Sequence, residues 1–115
     1  MPLVVYGDGS QTRDFVNVHD VVDAVLASMK KREAEGEVFN IGSGKPTSIN
    51  ELAKTVLGLS GINTAISYEP PRVGDIKNSY ADISRAQKLS GYQPKFSLTK
   101  GLSGLFAEKT FAAIK

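Results

Sequence analysis

Three features of the sequence predict an α/β fold. A short apolar run, "PLVVYG", stops at the turn Gly7-Asp8-Gly9, as a strand does on reaching a loop. From Asp20 the apolar spacing changes to that of a helix, with Val22, Val25, Leu26 and Met29 on one face. Ser48-Ile49-Asn50-Glu51 then forms a capping box, the signature of a second helix start. Strands that alternate with helices in this way argue for layered α/β architecture.

The elements follow in order. "PLVVYG" forms the first strand. "RDFVNV" alternates, so Phe15 and Asn17 oppose Val16 and Val18 across a second strand. Asp20 is read as the N-cap of the helix that follows, and Lys30, Lys31 and Arg32 occupy its last turn, where cations complement the helix dipole. "EVFNIGSG" reads as a buried strand entering a glycine loop. The helix after Ser48 buries Ile49, Leu52, Ala53, Val56 and Leu57, and Gly58 and Gly61 end it. "TAISYEPPR" is a strand that runs into prolines and so takes an edge position. "DISRAQKLSG" is a short helix capped by Asp82 or Ser84 and stopped by Gly91. A last helix begins near Ser97 and turns Leu98, Leu102, Leu105 and Phe106 inward.

Bulk properties remove several function classes. A chain of 115 residues makes one small domain. A net charge of +2 is too weak for a nucleic-acid face. Neither an apolar run of membrane length nor a signal-peptide pattern is present, so no membrane association is expected. The absence of cysteine excludes disulfides and thiolate metal sites, and it permits an intracellular, cytoplasmic setting. With His19 as the single histidine, no metal site and no nucleophilic triad is expected; His19 reads as a turn or cap residue.

Four polar residues next to turns or strand ends are candidates for binding chemistry: Arg13, Asn40, Arg72 and Asp75. Each also has an ordinary reading. Arg13 and Asp14 make a solvated pair, Asn40 caps a turn, and Arg72 and Asp75 bridge each other across a loop. The glycine turn beside Arg13 tips the balance, because a turn without side chains lets a ligand approach the backbone. Two arginines from separate segments could converge on one pyrophosphate, a task suited to the planar, permanently charged guanidinium. The second glycine site, "IGSGKPTSINE", does not meet the phosphate-loop spacing, since Pro46 follows Lys45. It reads instead as a tight turn feeding a capped helix. The dinucleotide fingerprint is not completed either: Gly7-Gly9 leads to Thr12 and Gly42-Gly44 to Thr47.

Taken together, "PLVVYGDGSQTRDFVNVHDVVDAV", "EVFNIGSGKPTSINELA" and "RVGDIKNSYADISRAQKLSGYQPKFSLTKGL" closely resemble the C-terminal part of NAD-dependent nucleotide-sugar epimerases and dehydratases of the extended short-chain dehydrogenase/reductase superfamily. The look is that of UDP-glucose 4-epimerase, over residues 2 to about 105. The resemblance implies the substrate-binding portion of a Rossmann-type fold without its N-terminal NAD-binding half, so residues 1–115 are read as a single truncated domain. It further implies that the strand of Val4, Val5 and Tyr6 lies along the nucleobase. Arg13 and Arg72 contact the diphosphate, Asp75 holds a ribose hydroxyl, and Asn40 lies close to the substrate.

The family's catalytic Tyr-x-x-x-Lys is missing: the residues four beyond Tyr6, Tyr68, Tyr80 and Tyr92 are Ser10, Arg72, Ser84 and Phe96. No catalytic residue is therefore assigned. NAD, the family cofactor, is not expected to bind this chain alone, and the chain is expected to be inactive by itself. Val73 also stands where many relatives carry proline. The implied ligand is a UDP- or dTDP-hexose; the alternatives are a non-catalytic binding module or a structural remnant. In the family, "FVNV" and "VFNIG" complete a larger sheet. Left without partners here, their edges and apolar faces predict a homo-oligomer or a rearranged small α/β domain.

Overall fold

The computed structural model describes residues 1–114, with side chains through Glu108. In chain order the elements are β1 (Leu3–Tyr6), β2 (Thr12–Arg13), α1 (Val18–Lys30), a 3-10 turn (Arg32–Ala34), β3 (Thr47–Ser48), α2 (Ile49–Ser60), β4 (Ile66–Glu69), α3 (Ser84–Ser90) and α4 (Leu98–Ile114). The α/β class is as the sequence predicts. β1 and β4 pair in parallel, Leu3 opposite Ile66 through Tyr6 opposite Glu69. β2 and β3 form a minimal antiparallel pair. α2 covers one face of the parallel pair, where Val5 and Ala53 are buried.

Local signals explain most element ends. Ser48 Oγ accepts from the Glu51 N–H at 3.1 Å, as a capping serine should. α2 runs through Gly58 and stops at Gly61, whose φ of +66° suits glycine. Gly58 was thus expected to break the helix and does not. At α3 the N-cap is Ile83, which makes no side-chain cap, rather than Asp82 or Ser84; Asp82 Oδ1 accepts from the Ser84 N–H just ahead of the helix, and Gly91 ends it. Ser97 Oγ accepts from the Lys100 N–H at the start of α4. Leu98, Leu102 and Phe106 are partly buried there, whereas Leu105, expected inside, is 61% exposed.

One expectation is corrected at α1. Asn17, not Asp20, caps the helix, its side chain accepting from the His19 N–H. Asp20 is buried instead, and its two carboxylate oxygens accept from the N–H groups of Lys95 and Phe96 at 2.9 and 3.1 Å. The face of Val22, Val25, Leu26 and Met29 looks outward, with Met29 78% exposed. The helix packs through Ala24, which joins Ile83, Ala86 and Tyr92 in the core.

Residues 14–17 and 37–42 form no strand. A strand exists only by exchanging hydrogen bonds with a neighbour, and among the described residues no named strand pairs with either segment. The shape agrees: extents of 51 × 40 × 18 Å and a Cα radius of gyration of 17.0 Å describe a thin slab, against roughly 13 Å for a compact chain of this length. No helix among the described residues is long and apolar enough to cross a membrane.

Candidate functional site

The main cleft lies at the C-terminal ends of β1 and β4, where ligands of open α/β sheets bind. It has a volume of about 790 Å³ and is lined by Tyr6, Gln11, Tyr68, Arg72, Asp75 and Lys77, among others. Its floor depends on the turn after β1. Asn50 donates its N–H to Gly9 O and its side-chain amide to Asp8 O, and it accepts from the Tyr68 hydroxyl. A Cβ on Gly9 would stand 2.0 Å from Asn50 Oδ1, at a φ of +73°. The glycine is thus required twice, for backbone conformation and for space.

Strand alternation sorts the three β1 residues. Val5 is 3% exposed, whereas Val4 and Tyr6 share the opposite, open face. Only the backbone of Val5 is left to line a ligand. Arg72 lies over the Tyr6 ring, its Cζ 4.2 Å from the centroid, a cation–π contact that leaves the guanidinium edge open.

Arg13 is held differently. Its Nη2 meets Asp75 Oδ1 at 2.6 Å and its Nη1 donates to Thr12 O at 2.7 Å. Asp75 therefore pairs with Arg13, and only its backbone N–H reaches Arg72, at the carbonyl. Thr12 also ties down the loop that carries Asp75: its N–H donates to Lys77 O, its carbonyl accepts from the Ser79 N–H, and its hydroxyl meets Asn78 Oδ1. Arg13 lines a second cleft, of about 430 Å³, together with Asn40, Ser79 and Tyr80. Of the residues singled out from the sequence, Tyr6, Arg72 and Asp75 thus share one cleft, Arg13 and Asn40 share the other, and the Arg13–Asp75 pair joins the two.

Behind this pair stands Asp14. Its carboxylate accepts from the Ser43 N–H and hydroxyl and from the N–H groups of Gly44 and Ala81, at 2.7 to 3.1 Å. Burial pushes its pKa up, but the Ser43 hydroxyl and the three backbone donors outweigh this and hold it below the usual carboxylate range. The Tyr92 hydroxyl donates to Gly42 O at 2.7 Å; burial raises its pKa, and the negative charges of Asp20 and Asp14 add to the rise. Asp14, Asp20 and Tyr92 as anchors, and Gln11, Lys77 and Tyr80 as lining residues, were not foreseen. The "GSG" turn was the available clue to Asp14, because a run of free N–H groups needs an acceptor. His19 stacks on Phe96, with centroids 5.6 Å apart, and lines neither of these clefts.

The profile of the NAD dependent epimerase/dehydratase family matches residues 1–42. A UDP-glucose 4-epimerase of Mycolicibacterium smegmatis is 39% identical over 99 residues, 86% of this chain and 31% of that protein. A crystal structure of UDP-glucose 4-epimerase with UDP-glucose from Thermotoga maritima superposes with a TM-score of 0.87 at 38% identity, over 99% of this chain and 36% of that one. This chain matches one part of proteins of the epimerase/dehydratase family. The Bacillus cereus UDP-glucuronic acid 4-epimerase, in complex with UDP-glucuronic acid and NAD, agrees at a TM-score of 0.85 and 32% identity, over 96% of this chain and 36% of that one. The chain spans about a third of the length of these relatives, so it corresponds to one part of the family fold.

The family is NAD-dependent, and the glycine turn at 42–44 does not fit the pyrophosphate of that cofactor. In the turn 42–44 the N–H groups of Ser43 and Gly44, which a pyrophosphate would need, are already taken by Asp14.

Proposed function

We propose that this chain is the nucleotide-sugar-binding part of an NAD-dependent epimerase, UDP-glucose 4-epimerase-like, in which Arg13 and Arg72 neutralise the diphosphate. The observation that carries the reading is that the clefts lined by Arg72 and by Arg13 adjoin at Asp75, which lines the first and pairs with the guanidinium of the second. Asp75 has the chemistry to accept from a ribose hydroxyl. The open face of Val4 and Tyr6 offers a flat apolar surface beside the base, and Asn40 lies at the sugar end with Arg13. These groups bind and orient; none is assigned a proton-transfer role. The exposed face of α1 and the extended segment 37–42 seat a second chain, through apolar contact and strand pairing.

Calorimetry with UDP, UDP-glucose and dTDP-glucose tests the reading. Binding is expected to weaken at least about tenfold in Arg13→Ala and in Arg72→Ala, as for loss of a charge-assisted contact. Affinities unchanged in both variants, or no binding by the unaltered chain, would overturn it. Light scattering across a concentration series is expected to show self-association; a monomer at all concentrations would remove the second-chain proposal.

A further inference from the structure

The two arginines are not equivalent. Among the described residues Arg72 makes no ion pair and rests on an aromatic ring, whereas Arg13 already has a carboxylate on one nitrogen and a carbonyl on another. An anion approaching Arg13 must share it with Asp75. The carboxylate cannot easily withdraw, because Thr12 ties its loop to β2 at Lys77, Asn78 and Ser79. In the main cleft Asp8 and Glu69 are balanced by Arg72 and Lys77, so the charge an incoming anion meets beside Arg13 is that of Asp75 itself. A free phosphate or pyrophosphate therefore meets like charge at Asp75 and brings nothing to satisfy it.

We infer that Asp75 is a selectivity element: as resident counterion of Arg13 it disfavours inorganic anions and admits only a diphosphate that carries a hydroxyl-bearing group. A ribose diol donates to the carboxylate while the diphosphate takes the guanidinium, so both partners of the ion pair are satisfied by one ligand. Discrimination here comes from an element that repels the wrong ligand as well as one that attracts the right one. This rests on the nucleotide-sugar reading above, and it adds a prediction that reading does not make.

The experiment compares sodium pyrophosphate with UDP on the full chain at fixed ionic strength. In Asp75→Asn, which keeps the shape and removes the charge, pyrophosphate is expected to bind about tenfold more tightly and UDP no more tightly than before. Asp75→Glu restores the charge and should restore the discrimination. Asp75→Ser serves as a second neutral variant if the asparagine form is poorly behaved. A purely structural role would weaken both ligands together in Asp75→Asn, and that result overturns the inference. If the unaltered chain ignores UDP while Asp75→Asn still gains pyrophosphate binding, the nucleotide-sugar reading fails and the counterion role survives. No gain in either neutral variant removes the counterion role, whatever UDP does.

Discussion

The two sides of this slab meet their own needs to different degrees. On the side of β1, β4 and α2, the strand backbones and a tyrosine hydroxyl find partners within the chain: Gly7 N–H reaches Glu69 O, Leu3 N–H reaches Ala65 O, and Tyr68 reaches Asn50 on the helix. On the α1 side, Val18, Val22, Val25, Leu26 and Met29 face outward beside Val38, which is 83% exposed. Both sides carry equally clear apolar patterns. A hydrophobic period thus states which face requires cover; it does not state that the same chain supplies the cover.

The most severe way to break the comparison is to remove what holds the α1 side to the rest. Asp20→Ala strips the acceptor from two backbone N–H groups at Lys95 and Phe96. It should cost about 3 kcal/mol, read by urea denaturation. A loss below about 1 kcal/mol would mean that water replaces the carboxylate. Next comes a pair of changes one residue apart. Ala24 is fully packed, so Ala24→Leu should destabilise by about 2 kcal/mol. Val25 is 57% exposed, so Val25→Lys should leave monomer stability within about 0.5 kcal/mol while abolishing self-association in light scattering. Equal costs for the two changes would erase the distinction between the faces.

The gentlest test is acid. Asp14 has a lowered pKa in the fold, so its stabilisation is complete above the unfolded carboxylate value, about pH 4. It is lost as pH falls through the lower folded value. In Asp14→Asn that dependence should disappear, so the stability gap to the unaltered chain should narrow on acidification below about pH 4. A gap that stays constant would show that Asp14 acts through shape alone.

What was legible in the sequence follows the same division. Ser48, Gly61 and Gly91 announce helix ends through local chemistry, and local chemistry needs no distant partner. The strand at Ile66–Glu69 was legible from its residues, and its parallel pairing with β1 follows once α2 is placed between them in the chain. Asp20 was misread because a carboxylate at a helix start has a common local use, and nothing near it points 75 residues ahead. "FVNV" and "VFNIG" have strand composition, yet their ladders need neighbours not found among the described residues. Tyr6, Arg72 and Asp75, each singled out in the sequence, line the same cleft. The pairing of Asp75 with Arg13, rather than with Arg72, depends on how Thr12 grips the loop, a detail of tertiary contact.

One last consequence concerns the turn at Ser43 and Gly44. Its donors are satisfied by a side chain tethered to the same polypeptide, which presents its oxygens at an effective concentration that a dissolved ligand rarely matches. Such a turn has the outline of a phosphate receptor and yet is closed to soluble competitors. Shape alone would report a receptor here; an inventory of which donors remain free reports a clasp.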